Sequence, residues 1–194
     1  MGIGVGVQLL GRPPAAATAA VARGLEVAGA DSFWAPDHWM GLVPLGVWDA
    51  GTFPSARMIR NPEESFDAFA FLMWLAGHTR KAKIATAVTE PIRRHPAEIA
   101  QTALSLHHLS KGRFVLGIGA GEKENVEPYG LSFRGQVSRL EEALYVIRLL
   151  WGAKDYVSYE GSYFRLDRAV IGIGAYRGTL PPIWVAAHGP RMRR

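Results

Sequence analysis

The feature that most constrains this chain is a regular alternation of short Val- and Ile-rich runs with segments of helical period. Residues 2–10 (GIGVGVQLL) form an apolar run of the buried-strand type. Residues 13–28 follow, alanine-rich, with Val21, Leu25 and Ala28 at helical spacing and Pro13-Pro14 suited to a helix start. The pattern then repeats as strand 32–35 (SFWA), helix 65–77, strand 83–88 (KIATAV), helix 96–109, strand 113–119 (RFVLGIG) and helix 136–151. Glu63 and Glu64 open the second helix at its positive end. Ile99, Ala103, Leu106 and Leu109 share a face of the third, and Leu140, Leu144, Ile147 and Trp151 form the stripe of the fourth. A hairpin over 156–166 and a strand over 183–187 (IWVAA) complete the order. Such alternation implies an α/β fold of parallel strands joined by right-handed crossovers. No linker divides residues 1–194, which read as part or all of a single domain. An open doubly wound sheet and a (β/α)8 barrel both satisfy the pattern, and periodicity does not choose between them.

Composition narrows the function classes. No apolar run approaches the ~18 residues a membrane helix needs, and no basic segment precedes an apolar run at the N-terminus. With 0 cysteines there is no disulfide framework, thiolate nucleophile or zinc-thiolate site, and a reducing cytoplasm fits. The net charge of +5 invites a nucleic-acid reading, yet Arg191, Arg193 and Arg194 crowd the end of the chain and the other basic groups are scattered. No basic stripe interleaved with stacking aromatics is present, so no nucleic-acid partner is expected.

Gly117-Ile118-Gly119-Ala120-Gly121 stands where a dinucleotide fingerprint would stand, after a strand. Glu122 occupies the place of the last glycine, and Pro128 and Gly130 read as an extended loop rather than a helix, so the Rossmann pattern fails. The informative residues lie at the carboxyl ends of strands, where parallel α/β folds bind ligands. Asp37-His38 follows the second strand and opens a long aromatic loop over 36–62, a length usually reserved for function. Histidine titrates near neutrality, so one placed there can give or take a proton. Glu122, with Glu124 and Asn125, follows the fourth strand, and His188-Gly189-Pro190 follows the fifth as an anion-binding turn. Trp39 and Trp48 are pocket candidates; Trp34, Trp74 and Trp151 read as core. His107-His108 lacks the HExxH pattern, which leaves one ring packed and the other exposed and no metal site.

Taken together, ADSFWAPDH (30–38), ATAVTEP (85–91), HPAEIAQTALSLHHLSKGRFVLGIGAGE (95–122), the 139–151 helix and PIWVAAHGP (182–190) resemble the luciferase-like superfamily of flavin and deazaflavin oxidoreductases. Within it the chain is most similar to the branch using coenzyme F420, and there to reductases of ketones in long-chain cell-envelope lipids. ENVEPYG (124–130) and the YRG…PPIWVAAHGPRM ending carry that finer likeness. The resemblance implies a (β/α)8 TIM barrel, of which 194 residues supply about the first five strands. Strands six to eight would be missing, the RMRR ending would be an early stop, and the outer edges of strands one and five would stand open.

The resemblance also implies roles. His38 is the proton donor or acceptor, and Glu122 is a second candidate if burial raises its pKa. Asp37 lies beside the cofactor, Ala87-Val88 carries a non-prolyl cis peptide behind the deazaflavin ring, and Glu122 and Asn125 touch the cofactor. Ala187, His188 and Gly189 belong to a loop that binds its phosphate. The implied cofactor is F420, with FMN as the alternative. The implied partners are a small-molecule or lipid ketone and further copies of the chain; no metal is implied.

Overall fold

The computed structural model describes residues 3–41 and 43–193, so Gly2 of the expected first strand lies outside the described residues. Strands β1 (Gly6–Gln8), β2 (Ser32–Ala35), β3 (Lys83–Thr86) and β4 (Phe114–Ile118) alternate with helices α1 (Ala15–Val27), α2 (Ala68–His78) and α3 (Pro96–Leu109). A single turn, α4 (Lys123–Val126), follows β4, then α5 (Gln136–Gly152) and a hairpin of β5 (Val157–Glu160) and β6 (Arg165–Ala169). Strand β7 (Ile183–Val185) closes the order. The five main strands are all parallel and lie side by side as β1-β2-β3-β4-β7. A doubly wound sheet reverses its order at a switch point. This sheet never does; it is the open, partial arc of a barrel.

One face of the sheet meets the helices. Phe33, Ile84, Phe114, Leu116 and Ile118 pack with Ala22, Leu72, Ile99, Leu106 and Ile147 in one buried cluster. Burying each large side chain is worth ~1.5–3 kcal/mol. The opposite face carries Trp34, Val115 and Trp184 around an open cavity, with the two indoles 5.1 Å apart. The interior strand β4, between β3 and β7, is buried throughout, as its continuous apolar run predicts. The outer edges differ: Val5, just before β1, and Val185 in β7 are 55% and 42% exposed.

Several boundaries move for local reasons. Helix α2 starts at Ala68 because Phe66 N–H is committed to Gly11 O at 2.7 Å and the Asp67 carboxylate caps Ala70 N–H at 2.9 Å. Asp67, not Glu63 and Glu64, therefore opens the helix. In α1 the buried face is Ala19 and Ala22, while Val21 is exposed, and in α3 Leu109 faces water. Trp74 and Trp151 sit half-buried against the core, whereas Trp34, read as core, lies on the opposite face of the sheet against Trp184. The stretch after Glu122 is helical, α4 running into a 3-10 turn at Glu127–Tyr129, rather than extended. Among the described residues no helix is long and apolar enough to cross a membrane.

Candidate functional site

Strand β3 leaves its ladder after Thr86 and returns at Thr89, whose N–H donates to Gly117 O at 3.0 Å. The Ala87–Val88 peptide between them is cis, the form the resemblance implies. This bulge forms the back wall of a cavity of about 410 Å³ at the carboxyl ends of the strands. His38, Glu122 and Asn125 line it, joined by Phe133 from the segment before α5 and Val137 from its first turn. The floor is glycine for a steric reason: a Cβ on Gly119 would lie 2.9 Å from Val88 Cγ2. Gly121 adopts φ +89°, a conformation side chains disfavour. Backbone therefore approaches the cavity closely, leaving an open slot with polar groups at its rim.

His38 Nε2 stands 3.3 Å from Glu122 Oε2, so the two candidate proton carriers form one pair. The Glu122 side chain is 51% exposed, so the burial on which its acid role depended is absent. Asn125, buried, accepts Trp39 N–H at 3.0 Å through Oδ1 and approaches Asp37 O with Nδ2 at 3.4 Å. It thus ties α4 to the loop that carries His38.

Asp37 does not line this cavity. It is 2% exposed and surrounded by donors: Arg94 Nε at 2.9 Å and Nη2 at 3.0 Å, Thr89 Oγ1 at 2.7 Å and Arg93 Nη2 at 3.3 Å. Burial alone would raise its pKa; the Arg94 hydrogen bonds, the two guanidinium charges and the Thr89 hydroxyl outweigh it and hold the carboxyl below its ordinary value. Arg93, with a side chain only 1% exposed, also donates from Nε to Glu90 Oε1 at 2.6 Å and covers the Trp39 ring. The carboxylate expected beside the cofactor is instead the anchor of the loop behind His38. Thr89 and Glu90 stand within ATAVTEP, and nothing local to them or to Arg93-Arg94 signals that the four converge.

Past β7, Ala186 and His188 face the cavity, whereas Ala187 and Gly189 do not line it. A 3-10 turn, Pro190–Arg193, follows. Trp39 stacks edge-on against Tyr129 outside the cavity, and Trp48 lines a second one. His107 is buried and His108 half-buried against Tyr176.

The luciferase-like monooxygenase family model matches residues 2–194. The chain belongs to that family. It is 39% identical over 197 residues to a phthiodiolone/phenolphthiodiolone dimycocerosates ketoreductase of Mycobacterium sp. (strain JLS), covering 99% of this chain and 52% of that protein. It is 36% identical over 174 residues to the F420-dependent glucose-6-phosphate dehydrogenase of Kineococcus radiotolerans, covering 87% of this chain and 46% of that one. Among solved structures, an F420-dependent secondary alcohol dehydrogenase bound to an F420-acetone adduct superposes with a TM-score of 0.78 at 28% identity, over 97% of this chain and 52% of that one. The chain thus spans about half the length of the relatives it matches.

Proposed function

We propose that the barrel containing this chain is an F420-dependent oxidoreductase that interconverts a ketone and a secondary alcohol. The carrying observation is the His38–Glu122 pair on the rim of a slot backed by Ala87–Val88 and floored by Gly119 and Gly121. Two relatives point the same way, one named for ketone reduction and one for secondary alcohol oxidation. Val88, Ala87, Phe133 and Val137 offer apolar surface to a deazaflavin ring, while Asn125, Gln136 and His188 offer polar partners to its rim and tail. Bound there, F420 supplies or accepts a hydride. As a carbonyl carbon gains the hydride, its oxygen takes the carbon–oxygen pair and becomes negative. His38 Nε2 gives that oxygen a proton, which solvent replaces, and the Glu122 carboxylate, within 3.3 Å, orients the imidazole until the carbonyl arrives. The substrate we favour is a long-chain keto lipid of the phthiodiolone type, on the likeness to the mycobacterial relative.

The test is titration of the protein with F420 and with FMN, followed by ketone turnover with reduced F420. F420 is expected to bind, and His38→Ala to leave its affinity near wild type while lowering turnover by ~10²-fold or more. Binding of FMN alone overturns the cofactor assignment, and undiminished turnover removes His38 from the mechanism.

A further inference from the structure

A second cavity, about 320 Å³, lies on the other side of His38, which lines both. Its walls are apolar: Leu10 from the end of β1, and Met40, Val43, Trp48 and Ile59 from the long loop. That wall is braced, since Trp48 Nε1–H donates to Ile59 O at 2.7 Å and Gly41 N–H to Glu63 Oε2 at 2.7 Å. A cation, Arg12, and an acid, Glu64, interrupt it. Arg12 lines the cavity, and its Nη1 is buried with no hydrogen-bond partner among the described residues. A buried donor without an acceptor is costly enough to need an explanation.

We infer that this cavity holds the aliphatic arm of the ketone substrate and that Arg12 pairs with an oxygen acceptor carried on that arm. The inference rests on the proposed ketone chemistry for its geometry: a carbonyl at His38 places one substituent in the first cavity and leaves the second for the other. The apolar walls select a hydrocarbon chain. The guanidinium selects a chain bearing a carboxylate or an ester carbonyl, and an unsubstituted alkane leaves it unpaired.

Calorimetric titration of the cofactor-free protein with methyl ketones from 2-hexanone to 2-decanone, then with 9-oxodecanoate and its methyl ester, tests this. Affinity is expected to rise about fourfold per methylene until the cavity is filled. The oxygenated chains are expected to bind about tenfold more tightly than 2-decanone. A preference for the acid over the ester identifies a carboxylate as the acceptor, and equal binding identifies an uncharged oxygen. Arg12→Met should abolish the preference over 2-decanone while keeping the chain-length slope, and Val43→Trp should abolish the slope. A flat chain-length series, or an Arg12→Met variant that keeps the preference, overturns the inference. Because no cofactor is present, ketone binding without F420 binding sinks only the proposed function, and F420 binding without ketone binding sinks only this inference.

Discussion

Asp37 illustrates how much one buried carboxylate can organise. Its side chain accepts from Arg94 and Thr89 and pairs with Arg93, which also donates to the Asp37 carbonyl; these residues arrive from the turn after β3 and so lock the backbone next to His38. Removing it leaves Arg93 with Glu90 alone and Arg94 with only the more exposed Asp67 and Glu98, so each largely buried guanidinium loses its best-shielded shared anion. Asp37→Ala is therefore expected to lower stability by ~3–5 kcal/mol in urea denaturation, the scale for breaking a buried pair from one side. Because its folded pKa is depressed, its contribution is fully present above the ordinary aspartate value of 3.8 and is lost as pH falls through the lower folded value. The acid limb of an unfolding profile should therefore flatten below about pH 4 in the variant; an unchanged limb would show that Asp37 does not couple folding to protons. The sequence placed His38 and Glu122 at strand ends, and the fold brings them together. It did not announce Asp37 as an anchor, since its partners lie more than 50 positions away.

Between elements, single glutamates do the tying. Glu142 on α5 accepts Ser162 N–H at 3.0 Å, Tyr163 N–H at 3.0 Å and Phe164 N–H at 2.8 Å, so its carboxylate fixes the β5–β6 turn to the helix. Glu26 on α1 does the same for Arg80, Lys81 and Ala82 before β3. Glu142→Ala is expected to speed hydrogen exchange at amides 162–164 and to lower stability by ~1–3 kcal/mol, the range for donors left without an acceptor. Exchange unchanged at those amides would assign the turn to its own geometry. Helices α3 and α5 were readable from apolar spacing, because that signal acts within a few residues. The glutamate ties leave no such trace: on a helix surface, Glu142 and Glu26 look like ordinary solvated charges.

At the scale of the whole molecule, the sheet is an arc with two free edges. Outside β1 and β7 no strand pairs with either among the described residues, and Trp184 and Val185 are 54% and 42% exposed. Open, apolar edges are templates for pairing with another chain. The 194-residue polypeptide is expected to associate with rising concentration, and Val185→Lys to shift its elution toward the monomer in size-exclusion chromatography. A monomer at all concentrations would show that these edges are protected. Val115, by contrast, stays 3% exposed, so the inner face is not stripped of cover everywhere. The alternation of strands and helices, the parallel connectivity and the strand-end position of His38, Glu122 and Asn125 were determined by the sequence alone. Periodicity and chain direction are local properties, and helical crossovers leave little choice of hand. Periodicity left the barrel and the doubly wound sheet open; the resemblance implied the barrel, and the tertiary structure bears it out with a sheet in sequential order. Only the tertiary structure turned Asp37 away from the cavity, set Ala186 rather than Ala187 in the wall, and opened a second cavity at Arg12. Those outcomes depend on which distant side chains meet in three dimensions, and spacing along the chain carries no record of that.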